Sequence, residues 1–218
     1  NGEFSVSFTP GADNGSPISG YRFIRDNGTV DSLQFVSQGN SGSSLSAITT
    51  DAAGNVYVAD RGTNKVWKIT PYGRTASSFG VTGSLPRAIA IDAAGNIYTA
   101  NYNSNNVSKI TPAGVSSTLG TTDNNPIGIA IDAAGNVYTA NYDSNTVSKI
   151  TPEGTSTLFG TTGSRPRAIA IDDAGNVYTA NYDSNTVSKI TPAGISTILG
   201  ATDVNPRAIA IDAAGSIY

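Results

Sequence analysis

Arg87, Arg167 and Arg207 hold one position in three copies of an internal repeat, and Ile127 and Ser46 hold it in two others. Guanidinium groups converging at such a point can bind a carboxylate or phosphate in bidentate fashion. The competing reading is that they are solvated, or paired with Asp123 and Asp203 nearby. A second set of residues follows the same repeat: Asn101, Asn141, Asn181 and Asp60, each succeeded by Tyr102, Tyr142, Tyr182 or Arg61. Asp143 and Asp183 come next, and loop carboxylates of this kind can hold a hard cation such as Ca²⁺. Each loop supplies a single carboxylate, however, and Asn, Asp and Ser are turn formers, so turn chemistry is the stronger reading. No other metal or cofactor is expected.

Enzyme chemistry has little to work with. The chain contains no His and no Cys. That removes the commonest general base, the commonest metal-binding nitrogen and every thiolate. Glu3 and Glu153 are the only glutamates. Charged residues make up 13% of the 218, with a formal net charge of −3, so there is no basic footprint for nucleic acid. No apolar stretch approaches the roughly 18 residues of a membrane-spanning helix. A sequence that starts at Asn1, lacks Met and stops at Tyr218 within a strand-like run reads as a fragment or a processed product.

The elements that must position these residues come from the repeat itself. Pro86, Pro126, Pro166 and Pro206 recur every 40 residues, as do Asp92, Asp132, Asp172 and Asp212, with Asp51 in an earlier copy. In the copy from Pro126 to Gly160, Ile127–Ile131 alternates as a half-buried strand should. Asp132-Ala133-Ala134-Gly135-Asn136 turns the chain, and Val137–Asn141 is a second strand of β-branched and aromatic residues. A polar turn, a third strand over Val147–Thr151, a turn at Pro152-Glu153-Gly154 and a short fourth strand over Thr155–Phe159 complete the unit. A small sheet of this kind cannot bury both faces alone, and radial stacking of copies is the natural solution. The predicted fold is all-β: a β-propeller of four-stranded blades, favoured over a β-solenoid. In a propeller the connections between blades and the turns between second and third strands share one face, so the starts of the first strands surround the mouth of the central channel. This places the arginine position there, with Asp60, Asn101, Asn141, Asn181, Tyr102, Tyr142 and Tyr182 as further candidate ligand contacts at the mouth. The shared Asp92-type residues and Lys68, Lys109, Lys149 and Lys189 read as structural, and Trp67 as filling a local gap.

The run Pro-x-(Ala/Gly)-Ile-Ala-Ile-Asp-x-Ala-Gly-Asn-(Ile/Val)-Tyr-Thr-Ala-Asn, then Asn-x-Val-Ser-Lys-Ile-Thr-Pro-x-Gly, resembles NHL repeats. It is also similar to the repeats of streptogramin (virginiamycin B) lyases. The resemblance covers about residues 45–218 and implies propellers with, most often, six blades. Five first strands are present and the fifth copy stops early, so the chain is expected to be part of a six-bladed ring, or a closed five-bladed ring with a split blade. In the second case residues 21–44 supply the ring-closing outer strands. Residues 1–20 resemble part of a bacterial fibronectin type III module or form a linker, which implies a secreted or cell-surface location. Streptogramin lyases imply a His with a Glu-bound metal, and gluconolactonase-like propellers a metal held by Glu, Asn and Asp; neither set is present here. The leading expectation is a non-catalytic extracellular scaffold presenting its loop face to a glycan, peptide or protein. The alternatives are a metal-dependent lyase or lactonase whose key residues lie elsewhere, and a structural spacer of a surface protein.

Overall fold

The computed structural model describes residues 21–24, 30–33, 44–71, 76–212 and 214–218. A hairpin of β1 (Tyr21–Ile24) and β2 (Val30–Leu33) comes first. Blade one follows as β3 (Leu45–Thr50), β4 (Val56–Asp60), β5 (Lys65–Ile69) and β6 (Ser77–Val81). Blade two is β7 (Pro86–Ile91), β8 (Ile97–Asn101), β9 (Asn106–Ile110) and β10 (Ser116–Thr121). Blade three is β11 (Pro126–Ile131), β12 (Val137–Asn141), β13 (Thr146–Ile150) and β14 (Ser156–Thr161). Blade four is β15 (Pro166–Ile171), β16 (Val177–Asn181), β17 (Thr186–Ile190) and β18 (Ser196–Ala201). Each blade is a four-stranded antiparallel sheet in sequence order, and the first strands β3, β7, β11 and β15 touch one another in succession. This is the predicted β-propeller, with first strands innermost. A fifth blade begins where Ile211 bridges Ile217, and Ala210 and Tyr218 exchange backbone hydrogen bonds of 3.0 Å.

The repeat works because each strand serves two interfaces. On β8, Ile97 faces blade one and Tyr98 faces blade three, as period-two alternation requires. Tyr98 and Val107 of blade two therefore enclose a core with Val137 and Ile150 of blade three, and Leu119, Ile129 and Ile131 pack around it. Tyr138 and Val147 repeat the arrangement against Val177 and Ile190 of blade four. The fourth strands carry a bulge that brings a glycine against the next blade. A Cβ on Gly120 or Gly160 would stand 2.7 Å from Cγ2 of Ile150 or Ile190, so no larger residue fits without parting the blades.

Two turn devices hold the strands in register. Asp92 accepts from the backbone and side chain of Asn96 at 2.8 Å and from the Tyr98 hydroxyl at 2.9 Å. Burial alone raises the Asp92 carboxyl, but the hydrogen bonds from Asn96 and Tyr98 outweigh it and hold it below its ordinary value. Tyr98 is pushed up by burial first, then by its bond to Asp92 and the charge there. Asp132 and Asp172 repeat the device, with their tyrosines Tyr138 and Tyr178. The second device clamps blade to blade. Asn105, Asn145 and Asn185 sit at φ 49°, 57° and 53°, a conformation that Asn tolerates better than most residues. Each side-chain oxygen accepts the N–H of a residue in the connection leading to the next blade: Asn125, Arg165 and Asn205.

β1 and β2 pair Ile24 with Val30 and Phe23 with Asp31. The third and fourth strands of blade two pair Ile110 with Ser116 and Lys109 with Ser117, which is the same offset. The fibronectin-like stretch over residues 1–20 lies outside the described residues.

Candidate functional site

The clamps just described put the connections between blades and the turns between second and third strands on one face. Asn103 N–H, for example, donates to the Ser84 carbonyl across that face. At its centre lies a cavity of about 380 Å³ lined by Leu45, Ser46, Arg61, Arg87, Ile127, Arg167 and Arg207. The arginine position of the repeat thus converges in space, from blade one round to the start of blade five. Strand register is conserved beneath it: Leu45, Pro86, Pro126 and Pro166 pair with Asp60, Asn101, Asn141 and Asn181.

The tyrosines reach the mouth as partners of the arginines. The Arg87 guanidinium lies 5.1 Å from the Tyr102 ring centre. Arg167 lies 4.7 Å from Tyr182 and 5.8 Å from Tyr142. Arg207 covers Tyr182 at 5.3 Å, and its Nη2 donates to the Tyr182 hydroxyl at 3.4 Å. Tyr182 therefore contacts guanidinium groups from its own blade and the next. These are cation–π contacts that hold the guanidinium groups over the tyrosine rings. The Arg87 Nε is buried without a hydrogen-bond partner among the described residues.

Neither carboxylate that the sequence offered as a partner neutralises this ring. Asp123 instead accepts from the Thr146 hydroxyl at 2.7 Å, and neither Asp123 nor Asp203 forms an ion pair with a described residue. Arg165 pairs with Asp183 at 3.1 Å, outside the cavity lining. That leaves Asp183 engaged and Asp143 exposed on its own loop. Among the described residues no three His, Cys, Asp or Glu side chains cluster, and the His and Glu that the lyase and lactonase resemblance implies are not at the mouth.

Asn101, Asn141, Asn181 and Asp60 are placed differently from the arginines. All four are fully buried within their blades. Asn141 donates to Thr146 and Ser148 and accepts from Thr139, and Asn181 does the same with Thr186, Ser188 and Thr179. Asn101 is bonded to Thr99, Asn106 and Ser108. These side chains brace the turns beneath the mouth and do not line it. Blade one departs from the pattern throughout this network, with Val58 at the Thr139-type position and Lys65 at the Thr146-type position. Asp60 replaces the Asn and Trp67 replaces the Ser, and the indole N–H donates to the carboxylate at 3.2 Å. Asp60 also accepts from Ser44, Gly62 and Thr63. Burial raises its carboxyl, yet the bonds from Thr63, Ser44, Trp67 and Gly62 outweigh it, leaving the group below its ordinary value.

Four stacked blades with a cationic mouth define a β-propeller module built around an anion-compatible recess. Residues 23–218 match the virginiamycin B lyase family, and the chain belongs to that family. No curated protein sequence matches it. Among solved structures it is similar to virginiamycin B lyase from Staphylococcus aureus, at 19% identity and a TM-score of 0.72, covering 81% of this chain and 62% of that one. A streptogramin B lyase gives 18% and 0.75, covering 91% of this chain and 68% of the other. A chain of a nidogen–laminin complex gives 15% and 0.66, covering 88% and 78%. The chain thus spans less than two thirds of the Staphylococcus aureus enzyme. At these identities the likeness is one of fold.

Proposed function

We propose that this chain is a non-catalytic, extracellular binding module whose channel-mouth face engages a glycan, peptide or protein. One observation supports this above the rest: among the described residues the recess is lined by Leu45, Ser46, Arg61, Arg87, Ile127, Arg167 and Arg207, with no His, Cys, Asp or Glu. Such a lining can hold a ligand but has no side chain suited to move a proton. The similar chain from a nidogen–laminin complex, a fold of this kind found bound to another protein, is compatible with this use of the fold. Immobilised protein probed with glycan and peptide arrays should capture ligands that Arg87→Ala and Arg167→Ala release. No capture at millimolar ligand contradicts the reading.

Membership of the lyase family favours a second reading, a metal-dependent lyase or lactonase whose acid and base lie outside this chain. Incubating full-length protein with a streptogramin B antibiotic or an aldonolactone, across a panel of divalent cations, separates the two. The binding reading expects no ring opening above the uncatalysed rate.

A further inference from the structure

We infer that the mouth is a site for a compact, multiply charged oxyanion, with clustered carboxylate or phosphoryl oxygens as the recognised chemistry. This inference rests on the reading of the mouth as a ligand site and names what that ligand must present.

The first ground is local charge. The chain is acidic overall, at −3, yet four of its eight arginines line one recess whose other lining residues, among the described residues, are Leu45, Ser46 and Ile127. No carboxylate lies among these described lining residues. Like charges held this close repel one another, and a bound anion relieves that repulsion.

The second ground is that the fold does not require arginine here. Ile127 and Ser46 occupy the same register position as Arg87 and Arg167, and their strands pair identically. Arginine at the other copies is therefore not a requirement of the blade. Residues that every copy needs, such as the Asp92-type turn or the Asn105-type clamp, recur without exception of this kind.

The third ground is orientation. Arg87, Arg167 and Arg207 each lie over a tyrosine ring, a cation–π contact that restrains the side chain. A restrained planar fork loses less freedom on gripping a carboxylate or phosphate than a solvated side chain does. The volume of about 380 Å³ admits a small polyanion or the charged end of a longer chain.

Calorimetric titration of the full chain with citrate and with pyrophosphate tests this, the two probes separating a carboxylate site from a phosphoryl site. At least one should bind, with affinity falling at least tenfold between about 50 and 300 mM NaCl. Arg167→Ile copies the residue that blade three already carries, so the strand is retained while affinity should drop about tenfold. Ile127→Arg should act oppositely and tighten binding severalfold, which keeps the test valid should Arg167→Ile fold poorly. Binding of neither anion to the wild type, or binding indifferent to both substitutions, overturns the inference. If neutral glycans or peptides bind the mouth while both anions fail, the binding reading survives and the anion inference alone falls. If nothing binds, both fall.

Discussion

Replacing Asp60 by Asn tests whether Asp60 and Trp67 of blade one form one coupled unit. The Asp60 Oδ1 accepts from the backbone N–H groups of Ser44 at 3.0 Å and Gly62 at 2.9 Å, which an Asn oxygen can retain. Oδ2 accepts from the Thr63 hydroxyl at 2.7 Å and the Trp67 indole at 3.2 Å. In Asp60→Asn an amide NH₂ takes the place of Oδ2. The Thr63 hydroxyl can rotate to accept from it, but the indole N–H only donates and loses its partner. Leaving a buried donor unpaired costs about 1–3 kcal/mol, so a loss of roughly 2 kcal/mol at neutral pH is expected. Urea unfolding at pH 7 measures it. The sign with pH follows from the lowered carboxyl of Asp60: its contribution is complete above the unfolded value, about 3.9, and is lost as pH falls through the folded value. The gap between wild type and variant should therefore narrow on acidification, while the other turn aspartates, common to both proteins, cancel. Trp67→Ser added to Asp60→Asn recreates the pairing seen between Asn141 and Ser148. The double-mutant cycle should show favourable coupling of at least about 1 kcal/mol. A loss under about 0.5 kcal/mol, unchanged with pH, together with an additive cycle, would refute the coupling.

Other expectations follow from the same contacts. Gly160→Ala drives a methyl into Ile190, and a loss of about 1–3 kcal/mol in urea unfolding is expected. Ile150→Ala, fully buried between blades two and three, should lose about 2–5 kcal/mol by the same measurement. Asn145→Ala strands the Arg165 N–H and puts Ala at positive φ, for a combined loss of about 2 kcal/mol, whereas Asn145→Gly should lose less. Tyr182→Leu leaves every charge in place but frees Arg167 and Arg207, so anion affinity should weaken several-fold while its salt dependence stays the same.

Strand order and blade boundaries were legible because each strand is short, alternates, and is closed by residues that turn the chain for identifiable reasons. The arginine position was legible for a related reason: the repeat shows which residue a blade requires, so Ile127 and Ser46 mark the position as variable. The Asn101-type residues were misplaced at the mouth because the end of a second strand can point up into a channel or back into its own blade. Sequence spacing does not separate these; the Thr–Asn–Ser hydrogen bonds do. The clamp made by Asn105, Asn145 and Asn185 is not legible although the residue recurs, since its partner lies 20 residues away in the connection to the next blade. The tyrosines were noted as possible ligand contacts, but stacking with arginine depends on the gap between neighbouring blades. Asp60 and Trp67 offered a usable signal, for both depart from the repeat in the same copy.

A crystal structure of the full-length protein with citrate or pyrophosphate at saturating concentration tests the central claim most directly. The account expects anion density within hydrogen-bonding distance of at least two of Arg87, Arg167 and Arg207, with their tyrosine stacks intact. An empty mouth with those arginines turned to solvent, or the anion held elsewhere, would contradict it.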